Sequence, residues 1–287
     1  MIIDEVPDAQ TFLDRTARLR EADPIGTNLM GSIAVAAMAN KEPTRFWVLS
    51  TPATSFALVS SRGICLSPSM TAHEATALGH VITHSVDTLI PRATGPRDAV
   101  DAFCTVLCTA RSPVTAKLHH VLVVYTLGEL RLPADVPGQL RLAQAGLDEE
   151  VLTEWTRDFM STIGEPVGDS HAFVTRNLQR SGLYIWEVNG YPVAFAGFAA
   201  PVQLSGGDVI YKIGPVYTPP QERRRGYGSA VTAALSQVLL HRHTGEASKC
   251  HVMLNADAAN PASNKAYQNI GYVQQSDSCS YGFEYGV

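Results

Sequence analysis

The sequence predicts an α/β fold with a mixed sheet, and three observations support this prediction. Segments with apolar residues at helical spacing alternate with short strand-like runs along the whole chain. Two apolar runs at 183–188 and 191–199 are separated by Asn189-Gly190, a pair suited to the two-residue turn of a β-hairpin. The length of 287 residues, 45% of them hydrophobic, is enough to bury the cores of one large or two modest domains.

The first half of the chain predicts four helices and four strands. Apolar residues at helical spacing predict helices at 8–20, 25–38, 71–85 and 97–110. Short apolar runs predict strands at 46–49, 56–59, 64–66 and 120–125. Pro52 and the pair Arg62-Gly63 separate the first three strands, because proline and glycine interrupt regular structure.

A segment without any apolar period separates the two halves. Residues 132–138 contain two prolines and a glycine, which break regular structure. We therefore place a domain boundary after Pro133, which gives an N-terminal α/β domain at 1–133 and a C-terminal domain at 134–287.

The second half predicts the element order β-α-α-β-β-β-α-β-α-β-β. Its predicted strands lie at 139–145, 183–188, 191–199, 209–217, 251–255, 272–274 and 280–283, and its later helices at 170–180, 226–241 and 261–270. The first helix opens at Asp148, the expected N-cap, and carries Val151 and Trp155 at helical spacing. Gly206-Gly207 precedes the strand at 209–217, and Pro219-Pro220 ends it.

The charge balance argues against several classes of partner. With 22 Lys and Arg against 27 Asp and Glu, the net charge is -5. The chain therefore lacks the positive excess that binding to nucleic acid or to an anionic membrane surface requires. The N-terminus has no cationic flank before an apolar stretch, and no apolar run approaches the roughly 18 residues of a membrane span. We expect a cytoplasmic protein whose five cysteines are reduced thiols.

The passage with the strongest chemical signal is the basic, glycine-bearing loop at 218–226, between the strand at 209–217 and the helix at 226–241. At the start of a helix the first N–H groups have no acceptor within the helix, and the helix dipole adds positive potential. Gly226 and Gly228 lack a Cβ, so an anion can approach the backbone, and Arg223, Arg224 or Arg225 can add charged contacts. The loop therefore predicts an anion site suited to a pyrophosphate.

The loop also resembles a known family. Arg223-Arg224-Arg225-Gly226-Tyr227-Gly228 is similar to the Q/R-x-x-G-x-G/A signature of the GNAT superfamily of acyl-CoA-dependent N-acyltransferases. Residues 260–272 resemble that family's second signature, Asn-x-x-Ala/Ser-x-x-x-Tyr-x-x-x-Gly-Phe/Tyr. The resemblance covers about 138–287.

The resemblance implies acetyl-CoA as co-substrate, with no metal. Backbone amides from Arg224 to Ser229 would hold the pyrophosphate, and the strands at 209–217 and 251–255 would splay apart around the pantetheine arm. An N–H near Val216 would stabilise the oxyanion, and Asn260 would contact the pantetheine or sulfur region. The full set of implied coenzyme-binding residues is Val216, Tyr217, Thr218, Arg223, Arg224, Arg225, Gly226, Tyr227, Gly228, Ser229, Asn255, Asn260 and Ser263.

The implied reaction is direct attack of a neutral amine on the thioester. Tyr267 is the expected general acid, because a phenol is a neutral donor at pH 7 whose hydrogen bond strengthens as charge grows on sulfur. The general base stays open. The candidates are Glu187, Asp208, Tyr211 and Asp257, with Glu222 beside the loop favoured as a solvated acid. We expect a small-molecule or peptide amine as acceptor, and a monomer or homodimer.

Two other functions remain open from the sequence. One is a non-catalytic, regulatory acyl-CoA-binding module, and the other is a different nucleotide-binding α/β protein, although the chain has no Gly-Lys-Ser/Thr of a P-loop. Because no Q/R-x-x-G-x-G/A occurs before Pro133, the first half is expected to be a degenerate GNAT-like domain. This organisation would be similar to the tandem domains of mycothiol synthase, a member of the superfamily.

Two further residue pairs are explained more simply by helix packing or surface position than by ligand binding. The pairs His80 with His84 and Cys104 with Cys108 have the spacing of residues on one helix face. Without additional ligands at suitable intervals, we interpret both pairs as helix packing and surface residues.

Overall fold

The computed structural model describes residues 1–40, 43–85, 89–164, 167–204, 207–242 and 249–286. The strands are β1 (Ile3–Val6), β2 (Arg45–Leu49), β3 (Ser55–Ser60), β4 (Gly63–Leu66), β5 (Arg92–Gly95), β6 (Val114–Leu127), β7 (Gln139–Leu142), β8 (Leu183–Val188), β9 (Tyr191–Phe198), β10 (Val202–Gln203), β11 (Val209–Tyr217), β12 (Cys250–Asp257) and β13 (Tyr272–Tyr285). The helices are α1 (Ala9–Ala22), α2 (Asn28–Asn40), α3 (Ala72–Ser85), α4 (Arg97–Ala110), α5 (Glu149–Thr162), α6 (Ser170–Gln179), α7 (Tyr227–Arg242) and α8 (Pro261–Asn269), with a 3₁₀ turn at Pro220–Glu222.

The predicted α/β fold with a mixed sheet is confirmed: parallel pairs such as β11 with β12 occur beside antiparallel ones such as β8 with β9. All the predicted helices are present, and the hairpin turns at Asn189-Gly190, where both residues have positive φ. Gly206, expected to precede β11, lies outside the described residues.

Several strands differ from the prediction. The short strands β1, β5 and β10 were not predicted, because two to four residues carry too little apolar alternation to be recognised. The predicted strands at 272–274 and 280–283 form one strand, β13, whose middle residues are polar and exposed. Backbone pairing, such as Cys279 opposite Gly95, needs no apolar side chains and was therefore invisible in the sequence.

The chain forms two compact units, and each is interrupted in sequence. The first comprises Met1–Val124, Ala256–Asn260 and Gln275–Val287, and the second comprises Tyr125–Asn255 and Pro261–Gln274. The first segment of the first unit ends at Val124, nine residues before the boundary predicted after Pro133. The division into domains at 1–133 and 134–287 stays a prediction.

The first unit has a sheet covered on both faces. Its strand order is β1-β2-β3-β4-β5-β13-β6, and β4 with β5 is a parallel pair. Side chains alternate across β2, so Phe46 and Val48 pack with Phe12 of α1, while Trp47 and Leu49 pack with the core that includes Leu78 of α3. Helices α1 and α2 thus lie on one face, and α3 and α4 on the other.

The second unit contains a sheet in the order β12-β11-β9-β8-β7. One face packs against α5 and α6 through a core that includes Leu152, Trp155, Val174 and Phe195. On the other face lies α7, which contacts β8, β9 and β11. This packing fixes the start of α7 relative to the end of β11, where the sequence predicts the anion site.

The start of α5 differs from the prediction in one detail. Asp148 stands at the N-cap position but makes no capping hydrogen bond. Its carboxylate instead accepts from Arg141 Nη1 at 2.7 Å and from the N–H of Gln144 at 2.7 Å. An ion pair with a half-buried guanidinium therefore replaces the cap expected from the sequence.

Candidate active site

The loop between β11 and α7 adopts the conformation that its glycines suggest. After Pro219 and the 3₁₀ turn, Arg224 has φ +65° and Gly226 has φ +82°, and α7 begins at Tyr227. A Cβ at Gly226 would lie 2.9 Å from Val136 Cγ2, so a side chain there would be both strained and crowded. A Cβ at Gly228 would meet only Thr218 Oγ1, at 3.4 Å.

The loop presents a row of unsatisfied donors. Within the described residues, the backbone N–H groups from Arg224 to Ser229 have no hydrogen-bond acceptor, whereas the next N–H, of Ala230, donates to Gly226 O at 3.0 Å. These groups lie at the positive end of a 16-residue helix. Their number and position fit an anion with several oxygens, such as a pyrophosphate.

The three arginines of the loop differ in what they contact. Arg223 Nε donates to Thr218 O at 3.0 Å, and its guanidinium lies 5.9 Å from the centre of the Tyr217 ring. Arg225 Nη1 lies 3.0 Å from Glu222 Oε2. Arg224 is exposed and has no partner in the part of the chain that the structure describes, so its charge is available to a ligand.

Strands β11 and β12 separate before they end. Their parallel pairing runs from Val209 with Cys250 to Ile213 with Leu254 and then stops. Strand β11 continues to Tyr217 on the other side, against β9, after a register shift between Ile213 and Val216. Beyond the last pair, Asn255 Oδ1 is buried without a partner among the described residues. Beyond Ile213 and Leu254 the two strands thus no longer pair, as the resemblance implied, and Asn255 Oδ1 beside them is unsatisfied.

The remaining coenzyme-binding candidates lie on both sides of this region. Val216 and Thr218 are half-buried, but the Tyr217 ring is buried in the core under α5 and α6, and its hydroxyl donates to Asp158 Oδ2 at 3.1 Å. The side chain of Tyr217 is therefore engaged in the core and is not free to contact a coenzyme. Ser263 is half-buried in the first turn of α8, and the exposed Asn260 precedes that helix.

Tyr267 lies on α8 between two other tyrosines. Its ring centre is 6.4 Å from that of Tyr125 and 6.2 Å from that of Tyr272. Burial raises the pKa of Tyr267 to about 12, so the phenol keeps its proton at neutral pH. No group among the described residues hydrogen-bonds to its hydroxyl. A protonated hydroxyl on a half-buried side chain, without a partner among the described residues, is available as a proton donor.

Among the candidate bases, Glu187 has the strongest partner. Its Oε2 lies 2.5 Å from Arg141 Nε, and the same guanidinium binds Asp148 through its two terminal nitrogens. The three side chains are largely buried, with exposed fractions of 19%, 19% and 2% for Glu187, Arg141 and Asp148. To accept a proton from an amine, Glu187 would have to share or leave this ion pair.

The other candidate bases lie in different surroundings. Asp208 precedes β11, roughly 25 Å along the strand from Val216 at about 3.3 Å per residue, and it binds the N–H of Lys249 at 2.7 Å. Tyr211 is buried against Phe198, with ring centres 5.7 Å apart.

The last two candidate bases, Asp257 and Glu222, bind partners close to them in sequence. The exposed Asp257 accepts from the N–H of Ala259 at 2.8 Å. Glu222 pairs with Arg225. None of these acids lies beside the free hydroxyl of Tyr267 in the contacts that the structure describes.

Sequence reasoning did not identify the partners of these candidates. Tyr125 hydrogen-bonds to Asn264 and Gln268 of α8, and Arg141 joins Asp148 to Glu187. Asn264 and Gln268 do lie within the second signature, one on each side of Tyr267. Nothing in the sequence signals Tyr125 or Arg141, because neither strand, β6 or β7, carries a motif.

The patterns set aside in the sequence remain without a ligand role. His84 Nδ1 contacts His80 O at 2.7 Å, as expected for successive turns of α3. Burial raises the pKa of the Cys104 thiol to about 12, which keeps it protonated. The described residues contain no group of three or more His, Cys, Asp or Glu placed to hold a metal ion. They also contain no helix that is both long and apolar enough to cross a membrane.

Comparison with known proteins identifies the segment that contains the site. The model of the acetyltransferase (GNAT) family matches residues 149–272. This range includes β11, the loop, α7, β12 and α8. No curated protein matches the chain significantly.

Solved structures resemble the whole chain in fold. An acetyltransferase of the GNAT family from Colwellia psychrerythraea matches with a TM-score of 0.57 and 16% identity, covering 100% of both chains. A Drosophila protein matches with a TM-score of 0.63 and 12% identity over 98% of both chains. A GCN5-related N-acetyltransferase from Sphaerobacter thermophilus matches with a TM-score of 0.61 and 12% identity, covering 98% of this chain and 95% of its own.

These similarities extend over the N-terminal region and agree with a GNAT-like fold there, whereas the family model covers the C-terminal region alone. The signature loop, the separated strands and the family match fall in the same segment. Residues 149–272 form an acetyltransferase domain of the GNAT family.

Proposed function

We propose that this protein is an N-acetyltransferase that transfers the acetyl group of acetyl-CoA to a primary amine by direct attack. The observation that carries the proposal is the row of unsatisfied N–H groups from Arg224 to Ser229, beside the gap between β11 and β12. Acetyl-CoA combines a pyrophosphate with an amide-bearing arm, and these two features match the two unsatisfied regions. A GNAT domain supports acyl transfer in general, and the amine acceptor is our inference.

In the proposed arrangement, the loop binds the pyrophosphate, and Arg223, Arg224 and Arg225 supply positive charge. Residues Val216, Tyr217 and Thr218 line one side of the gap, with the N–H near Val216 directed to the oxyanion. Asn255, Asn260 and Ser263 complete the coenzyme site. These roles follow the family's signatures, and the free amides and the buried, unpaired Asn255 Oδ1 support them.

The proposed chemistry needs one acid and one base. The amine nitrogen forms a bond to the thioester carbon, the carbon–sulfur bond breaks, and the electron pair leaves with sulfur. Tyr267 gives its proton to that sulfur, and the attacking nitrogen loses a proton to Glu187. A proton returned from Glu187 to Tyr267 through solvent restores both groups. The protonated, unpaired phenol of Tyr267 supports the acid role.

The acceptor is proposed to be a small-molecule or peptide amine handled in the cytoplasm, without nucleic acid, membrane or metal. The net charge of -5 favours a cationic acceptor over an anionic one. A non-catalytic module that only binds acyl-CoA is the second candidate. It shares the loop but makes no use of the acid function of Tyr267.

Titration calorimetry with acetyl-CoA tests the first step of the proposal. In Gly228→Glu, a carboxylate is placed among the amides that would bind the pyrophosphate, and we expect affinity to fall at least roughly 10-fold through like-charge repulsion. Gly168→Glu is the matched control, because Gly168 faces open space and carries no positive φ. This control adds the same charge and should bind as the parent does.

Three results would contradict the proposal. Equal binding by the parent and Gly228→Glu would remove the loop from the coenzyme site. Tighter binding of ATP than of acetyl-CoA would favour a different nucleotide-binding protein. Binding of acetyl-CoA without release of coenzyme A in a screen of primary amines would favour the non-catalytic module.

A further inference from the structure

Tyr125, near the end of β6, is fully buried, and its hydroxyl is bonded to two side chains of α8. The hydroxyl donates to Asn264 Oδ1 at 3.0 Å and accepts from Gln268 Nε2 at 3.4 Å. Residues four apart lie on the same face of a helix, one turn from each other. A single hydroxyl thus ties two successive turns of α8.

Helix α8 is short and packs shallowly. It contains nine residues, of which Ser263, Asn264, Ala266 and Tyr267 are half-buried and the others exposed. Isolated helices of this length are unstable in water, and contacts with the rest of the protein stabilise them. The two hydrogen bonds from the buried Tyr125 are therefore among the contacts that fix the position of α8.

Tyr267 lies between the two tied residues in the sequence of α8. It follows Asn264 by three residues and precedes Gln268 by one. Its ring also packs beside the Tyr125 ring, with centres 6.4 Å apart. A shift or rotation of α8 would therefore move the Tyr267 hydroxyl directly.

We propose that Tyr125 is a positioning residue for acyl transfer, whose hydroxyl holds α8 so that Tyr267 keeps its hydroxyl in place for protonation of the leaving thiolate. This inference rests on the proposed function. It adds a residue outside both family signatures and outside the matched range 149–272. Tyr125 contacts no substrate in this role and acts through Tyr267.

The chain offers a matched control in Tyr272. This tyrosine is also buried, and its ring centre lies 6.2 Å from that of Tyr267. Its hydroxyl, however, bonds to Ser236 Oγ of α7 at 2.8 Å and, among the described residues, makes no hydrogen bond to α8. Replacing either Tyr125 or Tyr272 with Phe removes one buried hydroxyl beside Tyr267. Only Tyr125→Phe also removes hydrogen bonds to α8.

The first test compares the steady-state kinetics of Tyr125→Phe and Tyr272→Phe. The substrates are acetyl-CoA and the primary amine that gives the fastest release of coenzyme A in the screen. For Tyr125→Phe we expect kcat to fall about 10-fold or more, since small misplacements of a reacting group cost this much, with KM for acetyl-CoA within about twofold of the parent. Tyr272→Phe should change kcat less than about twofold. Equal losses of kcat in the two variants would overturn the proposal.

The second test is a double-mutant cycle with Tyr267→Phe. If Tyr125 acts through Tyr267, then Tyr125→Phe should have less than about a twofold further effect on kcat once the phenol of Tyr267 is absent. Multiplicative losses of kcat would mean that Tyr125 acts by another route, such as general loss of stability.

Hydrogen exchange provides a readout that does not depend on turnover. Tyr125→Phe should speed exchange of the backbone amides of Pro261–Asn269, while Tyr272→Phe should leave that peptide unchanged. Unchanged exchange in Tyr125→Phe would show that its hydroxyl does not hold α8. If the parent releases no coenzyme A with any amine, acyl transfer and the catalytic role of Tyr125 both fail, and exchange alone then decides whether Tyr125 holds α8.

Discussion

At the scale of single residues, Tyr267 keeps its proton at neutral pH and its hydroxyl lacks a partner. Desolvation of the half-buried side chain raises the pKa of Tyr267 to about 12, and no described residue hydrogen-bonds to its hydroxyl. The hydroxyl can therefore form a hydrogen bond with a ligand without breaking an existing one. These two properties suit the role of a general acid at pH 7.

We expect Tyr267→Phe to lower kcat about 100-fold, the usual size of a general-acid contribution. The affinity for acetyl-CoA should stay within about twofold, since the ring and its packing remain. Turnover measured by thiol release, together with calorimetry on the same sample, checks both expectations. An unchanged kcat would remove Tyr267 from the acid role.

Glu187, which forms an ion pair with Arg141, has either a catalytic or a structural role, and replacing it distinguishes the two. If Glu187 is the base, Glu187→Gln should lower kcat about 100-fold while acetyl-CoA binding persists. If the pair only joins β7 to β8, Glu187→Gln should leave kcat nearly unchanged and lower the free energy of unfolding. Kinetics and urea unfolding on the one variant distinguish the two, and a loss of stability with full kcat would contradict the base assignment.

Residue-level prediction is easiest where the backbone favours one residue type. Gly226 stands before α7 with a φ of +82°, which favours glycine, and its role in coenzyme binding stays a prediction. The cluster of Arg141, Asp148 and Glu187 could not be predicted. Its members are up to 46 residues apart, and no spacing rule relates charges that meet only after strands pair.

At the scale of elements, α3 and α7 differ in whether a carboxylate caps the N-terminal end. In α3, Glu74 Oε2 accepts from the N–H of Thr71 at 2.9 Å, while Oε1 accepts from Thr54 Oγ1 at 2.7 Å. A carboxylate of the protein thus occupies the end of α3. At the start of α7, in contrast, no carboxylate of the described residues accepts a hydrogen bond from the free backbone amides. The sequence Thr71-x-x-Glu74 is a capping-box pattern, and this cap would hinder anion binding at the start of α3. That the first half is a degenerate domain stays a prediction.

The Glu74 cap predicts a pH-dependent contribution to stability. Burial opposes ionisation of Glu74, but hydrogen bonds from Thr54 and Thr71 outweigh it and lower the pKa overall. Since the pKa is lower in the folded protein, Glu74 stabilises the fold above its unfolded pKa of about 4.3, and this contribution is lost as pH falls through the folded pKa. Glu74→Gln should therefore cost about 2 kcal/mol at pH 7.

Urea unfolding at several pH values checks this expectation. The difference in unfolding free energy between the parent and Glu74→Gln should be constant near neutrality and shrink below about pH 4. A difference that stays the same at acid pH would mean that the cap does not depend on the charge of Glu74.

Elements were predicted well where the apolar period is long. The strand β6 was expected at 120–125 but extends over Val114–Leu127, because its first half alternates polar residues that pair through the backbone. The separation of β11 from β12 was implied only by the resemblance. It depends on a register shift between Ile213 and Val216, which no local propensity encodes.

At the scale of the whole molecule, the two compact units differ in the helix that follows the first strand of their parallel pair. Strand β4 leads to α3, whose start is capped by Glu74, whereas β11 leads to α7, whose first amides have no acceptor among the described residues. We expect one molecule of acetyl-CoA per chain in titration calorimetry. A stoichiometry of two would mean that the first unit also binds coenzyme in spite of the Glu74 cap.

The fold class and the C-terminal segment that matches the acetyltransferase family could be predicted from the sequence, because two signatures and a hairpin lie within continuous segments. The composition of the compact units could not. Residues 256–260 and 275–287 belong with the first unit although they follow the second unit's main segment, and nothing in their composition signals this.

The place of β13 has a consequence for the order in which the protein can fold during synthesis. Domains commonly fold from the N-terminus as the chain emerges from the ribosome. Here Cys279 and Phe283, from β13, complete the core of the first unit, and Cys279 pairs with Gly95 of β5. A nascent chain of some 270 residues still lacks them, although most of the second unit has then been made. Until β13 is made, the edge of β5 and the apolar groups beside it lack their partner strand and are exposed to other chains and to chaperones.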